Sequence, residues 1–143
     1  MRSCSLYQRG GRCIGAPTAM SNGAWFDSEP YEVIDAEASH EAIGAWARGL
    51  LALSRFWRDD ELPRDFRKVT ERLCAVAGVK SWSKFFEGSR HVFLQEADDG
   101  SLRVGVMRRG KGKSYDPHRT VELGTPDDTA LGRAIVEAFA EAL

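Results

Sequence analysis

The stretch "RHVFLQEADDGSLRVGVMRR", Arg90–Arg109, decides the fold class. Val92 and Leu94 alternate with polar neighbours, and so do Leu102, Val104 and Val106, the period of two that turns one side of a strand toward a core. Between the two runs, Asp98-Asp99-Gly100 reads as a turn, because glycine takes the positive φ that such turns need. On both sides of this hairpin the period changes. Ile43, Trp46, Leu50, Leu53 and Trp57 recur at three-and-four spacing behind Ser39, an N-capping residue, and Glu41, which suits the positive end of a helix dipole. "RDDELPRD" (58–65) ends that helix, since Pro63 disfavours helical geometry at Leu62. Phe66, Val69, Leu73 and Val76 mark a second helix, with Gly78 placed to terminate it. "RTVELG" (119–124) adds a third strand. "TPDDTALGRAIVEAFAEAL" (125–143) predicts a final helix capped by Thr125, with Pro126 at its first position, Asp127 and Asp128 at the dipole, and Leu131, Ile135 and Phe139 facing inward. A short strand is expected near Tyr31–Ile34. The sum is an α+β fold: a small, mostly antiparallel sheet packed by two N-terminal helices and one C-terminal helix.

The chain has 143 residues, 43% hydrophobic and 29% charged, which suits one globular domain with its own core. No apolar run approaches the roughly 18 to 20 residues of a membrane span. The first nineteen residues, "MRSCSLYQRGGRCIGAPTA", stand apart, with Arg2, Arg9 and Arg12 and no acid. They predict an unstructured leader, or a start drawn too far upstream with Met20 as the true one, and leave a single domain over residues 20–143. An organelle transit peptide is the alternative for such composition. Without those three arginines, 17 basic residues face 21 acidic ones, a net charge of −4 that argues against general nucleic-acid affinity. Cys4 and Cys13 match no zinc spacing, and Cys74 stands alone on an apolar helix face. No metal, disulfide framework or cofactor is implied, and a reducing cytoplasm is the expected home.

"VGVMRRGKGKSYDPH" (Val104–His118) invites a phosphate-binding reading. A P-loop needs G-x-x-x-x-G-K-[ST] opening a helix. From Gly105 the frame reaches Gly110 and Lys111 but ends in Gly112, and Asp116 before Pro117 resists a helix. The stretch is best read as a basic hairpin tip. The alternative is a nucleic-acid patch, with Arg108, Arg109, Lys111 and Lys113 on phosphates and Tyr115 stacking. His40, His91 and His118 read as a helix-start, an edge-strand and a loop residue. A hydrolase built on His91 or His118 is a third option that only the fold could assemble.

The other charged feature is acidic. Asp27, Glu29, Glu32, Asp35, Glu37 and Glu41 lie in a stretch without Lys or Arg from Ile14 to Ala47, and one-signed runs steer partners of opposite charge. Asp59, Asp60 and Glu61 form a second group. Trp25, beside the first run, is the expected aromatic anchor of an interface.

From Lys80 to Leu143 the chain resembles the contact-dependent growth inhibition (CDI) immunity protein family. The shared features are the Ser81-Trp82-x-x-Phe85 opening, a hairpin with a glycine-rich basic tip, a short strand, and an ending built on Leu131-Gly132, Ile135 and Ala138-Phe139. The resemblance implies a small cytoplasmic bacterial protein that binds and neutralises the toxic C-terminal domain of a cognate effector, often a nuclease, with no chemistry of its own. It transfers no fixed contact residues. The acidic residues and Trp25 named above are therefore the expected toxin interface, matched to a basic nuclease groove.

Overall fold

A computed structural model of the chain describes residues 1–21, 24–56 and 67–142. Trp57, Asp59, Asp60, Glu61 and Phe66 lie outside the described residues. The elements run β1 (Arg2–Arg9), β2 (Arg12–Ser21), β3 (Ala24–Asp27), β4 (Glu32–Asp35), α1 (His40–Ala52), β5 (Arg55–Phe56), α2 (Arg67–Ala77), α3 (Trp82–Gly88), β6 (Arg90–Glu96), β7 (Leu102–Arg109), β8 (Tyr115–Gly124) and α4 (Asp128–Glu141). One sheet has the order β3-β2-β1-β6-β7-β8, with every pair along it antiparallel. β4 pairs antiparallel with Arg12–Gly15 of β2, and β5 lies parallel to it at Ala19 and Met20.

The α+β class and the antiparallel sheet agree with expectation, but the leader does not. Residues 2–21 are β1 and β2, and β1 sits in the middle of the sheet between β2 and β6. A boundary at Met20 would fall inside β2. The sheet is accordingly larger than expected. The physical signal is a hairpin one: Arg9 pairs with Arg12 across Gly10-Gly11, and Gly10 takes φ +58°. Along β1, Cys4 and Leu6 enter one core while Tyr7 enters another, the alternation that a sheet covered on both faces requires.

Those two cores define the layers. On one face, Cys4, Leu6, Val92, Leu94, Val104 and Val106 pack against Ile43 and Leu50 of α1 and Leu131, Ile135 and Phe139 of α4. On the other, Tyr7 and Ile14 meet Leu73, Cys74 and Ala77 of α2 and Phe85 of α3. Cys74 is buried, as its helix face predicts, and burial pushes its thiol up. α1 and α4 touch backbone to backbone: a methyl group on Gly44 would overlap the Asp128 carbonyl, and one on Gly132 would overlap the His40 carbonyl.

The helix arrangement differs from two before and one after the hairpin. Four helices are present among the described residues, and the short α3 was missed. Ser81 caps it by accepting from the Lys84 N–H at 3.2 Å, and Phe85 and Phe86 bury its inner side. α1 stops at Ala52, so Leu53 caps the helix 46% exposed instead of extending the apolar stripe. Ser39 is its N-cap, as expected. α2 ends in a Schellman motif at Gly78 (φ +74°), with Gly78 N–H donating to Ala75 and Val79 N–H to Cys74. α4 begins later than predicted: Asp127, not Thr125, is the cap, accepting from Ala130 N–H at 2.8 Å. The predicted stripe of Leu131, Ile135 and Phe139 is buried.

Candidate functional site

The hairpin between β7 and β8 turns at Lys111–Lys113, so the basic stretch is a tip as expected. β8 starts at Tyr115, however, and takes in much of the stretch that reads as loop, His118 included. Only an edge strand accepts Pro117, which lies opposite Met107 beside a bulge. Two of the four basic side chains at this tip are committed elsewhere. Arg109 donates to the carbonyls of Phe86 (2.8 Å), in the last turn of α3, and of Ser89 (3.2 Å), its C-cap. Lys113 donates to Ser83 Oγ (2.6 Å), while its own carbonyl accepts from Trp82 Nε1 (2.8 Å). Arg9 joins them from β1, donating to Lys84 O at 3.0 Å. Cations on the free carbonyls of a helix end complement its dipole. The tip therefore holds α3 in place, and only Arg108 and Lys111 of the four remain as exposed cations without such bonds.

The acidic run is divided by the fold. Glu32, Asp35, Glu37 and Glu41 are exposed along β4 and into the first turn of α1, with Val33 (44% exposed) between the first two. Asp35 also accepts the Glu37 N–H at 2.8 Å, which fixes the turn between strand and helix. Glu29 is exposed too, but an ion pair at 2.6 Å ties it to Arg72 of α2. Asp27 does not belong to this surface. Its side chain turns inward from β3, where its carboxylate accepts from Ser5 Oγ (2.6 Å) and Tyr7 OH (2.7 Å). Burial raises its pKa, against the lowering effect of those two donors. Trp25 is half-buried beside it.

Asp27 and Trp25 line a cavity of about 400 Å³ between the sheet and α2. Trp82, Phe93 and Phe26 give it aromatic walls, and Ser5, Tyr7, Thr18 and His91 a polar floor. His91 is not on an edge strand, since β6 lies between β1 and β7. Its ring stacks on Tyr7 with centroids 4.5 Å apart, and Tyr115 meets it edge-on at 4.9 Å. Both ring nitrogens are buried without a hydrogen-bond partner, and burial lowers the imidazole pKa to about 3. Sequence could have pointed here only by counting face: His91, Phe93 and Gln95 alternate with Val92 and Leu94, so they share the side opposite the α1/α4 core.

An acid-sensitive fold follows. The unfolded chain takes up a proton on His91 near pH 6.5, while the folded one resists until about pH 3. Stability should therefore fall as pH drops through that window, by about 1.4 kcal/mol per pH unit at most. Asp27, with its raised pKa, acts in the opposite sense over the lower part of the window, because the folded state then holds the extra proton. Urea melts of wild type and His91→Phe between pH 7 and pH 4 test this. Wild type should lose stability relative to His91→Phe as pH falls, and parallel curves would refute it.

Among the described residues, no group of His, Cys, Asp and Glu is arranged to hold a metal, and no helix is long and apolar enough to cross a membrane. Residues 16–142 match the family model CdiI, the CDI immunity protein. The chain belongs to the CDI immunity protein family. Two solved structures share the fold of this immunity protein. One is a protein of unknown function from Neisseria meningitidis, with TM-score 0.82 and 18% identity over 99% of this chain and 95% of that one. The other comes from the CdiA-CT/CdiI toxin and immunity complex of Yersinia pseudotuberculosis, with TM-score 0.77 and 14% identity over 99% and 97%. Both alignments take in β1 and β2, so the strands read from sequence as a leader belong to the shared fold. A comparison with curated proteins returns no match.

Proposed function

We propose that this immunity protein neutralises the C-terminal toxin domain of its cognate CDI effector by placing the exposed carboxylates of β4 and the start of α1 against a basic surface, that of a nuclease. Family membership supplies the class of partner. The observation that carries the choice of surface is the fate of the six acids. Glu32, Asp35, Glu37 and Glu41 are exposed along β4 and the start of α1, with Arg12 of β2 opposite Asp35, while Asp27 is turned inward and Glu29 is neutralised by Arg72. An inhibitor of this kind needs a complementary surface and fast, steered association, not a reaction centre.

The acid face is testable without touching the core. Glu32→Lys combined with Glu37→Lys should slow association with the toxin domain by about tenfold at low salt and flatten its salt dependence, because exposed charge acts mainly on the on-rate. Stopped-flow kinetics across a salt series would check it. An unchanged on-rate would place the interface elsewhere.

A further inference from the structure

The cavity under α2 has a chemistry that toxin binding at the acidic face does not use. Asp27 is its charged group, and among the described residues no ion pair neutralises it; its only partners are the hydroxyls of Ser5 and Tyr7. A partly buried carboxylate without a cation is costly, and two neutral hydroxyl donors offset only part of that cost. Thr18 pairs directly with Asp27 across β2 and β3, so their side chains share one face of the sheet. Thr18 is only 4% exposed and its hydroxyl has no partner. His91, across from Tyr7 on β6, contributes two more partnerless nitrogens. Buried polar groups without partners are rare in native proteins, and here three side chains with unmet hydrogen-bonding or charge line one space. The walls of that space are aromatic.

We infer that this cavity is a binding site for a small organic amine carrying an aromatic or bulky apolar group. An ammonium supplies what the floor lacks: a positive charge for Asp27 and N–H donors for the Thr18 hydroxyl and an imidazole lone pair. The rings of Trp25, Trp82 and Phe93 favour a cation and its apolar stem by the attraction of a π-face for positive charge and by excluding water. An anion would meet the Asp27 charge, and a purely apolar ligand would leave every polar group on the floor unmet. The site lies on a different part of the sheet from the exposed acids of β4 and does not depend on their role.

Tryptamine is the probe, with indole-3-propionate as the same ring system of opposite charge. Calorimetric titration of the full chain should show tryptamine binding with a dissociation constant on the order of 100 µM or tighter. Indole-3-propionate should bind at least about tenfold more weakly, as should tryptamine to Asp27→Asn, because a charge-assisted hydrogen bond is lost in each case. Thr18→Val removes a hydroxyl that has no partner in the free protein, so it should fold at least as well as wild type yet weaken tryptamine about threefold or more. No binding of tryptamine at millimolar concentration would overturn the inference. Equal binding of the amine and the acid, or affinity unaltered in both variants, would do the same. Toxin affinity unchanged in Asp27→Asn would keep the two sites distinct whichever way the amine titration falls.

Discussion

Deleting residues 1–19 is expected to leave a chain that does not fold. The deletion removes all of β1 and most of β2, and with them the partners of β6 on one side and of β3, β4 and β5 on the other. Leu6, Tyr7 and Ile14 are among the buried side chains lost, and each contributes about 1.5–3 kcal/mol when fully buried. Three such losses rival the whole net stability of a domain, about 5–15 kcal/mol, before the exposed sheet edges are considered. Circular dichroism of residues 20–143 should show no cooperative thermal transition, and the fragment should neither bind nor neutralise the toxin domain. A cooperative melt near that of the full chain would mean that β1 and β2 are dispensable, against everything their burial implies.

The second large effect concerns two glycines. In the middle of an exposed helix, Gly→Ala stabilises by about 1 kcal/mol, because alanine restricts the unfolded chain and favours the helix. Gly49 of α1 meets that condition, since a methyl group there would touch nothing. Gly132 does not, because its methyl group would fall on the His40 carbonyl oxygen at the α1–α4 crossing. Gly132→Ala must push the helices apart and should cost about 3 kcal/mol, a fall in Tm of about 10 °C. Gly44→Ala, facing Asp128 from the other helix, should behave alike. Differential scanning calorimetry of the three variants tests the opposition of sign. If Gly49→Ala and Gly132→Ala shift Tm in the same direction, the close helix contact is wrong.

What was legible in the sequence follows from how strongly one environment dictates the residue. The β6–β7 hairpin and the inward stripes of α1, α2 and α4 were readable because burial on one face imposes a period. α3 was not, since two turns are too short to display one. β1 and β2 were hidden by composition: three arginines and no acid suggested a leader, yet Arg9 and Arg12 lie beside the Gly10-Gly11 turn, and Arg9 reaches a helix carbonyl. The acidic run was visible as a charge pattern. Which of its members faces solvent depends on tertiary contacts, so Asp27 could not be told apart from Glu32 until Ser5 and Tyr7 were brought beneath it. The basic tip shows the same limit, because Arg109 and Lys113 answer to carbonyls and hydroxyls that are distant in sequence.

The central place of β1 has a consequence in time. It can pair with β2 as soon as both are synthesised, but the strand on its other side arrives only with Arg90–Glu96. At synthesis rates of about 5–20 residues per second, that interval is on the order of ten seconds, during which one edge of the nascent hairpin stays open. Distant pairing of this kind also slows folding once the chain is complete. Until Arg90–Glu96 has been made and has paired, the chain lacks one of the two strands that flank β1.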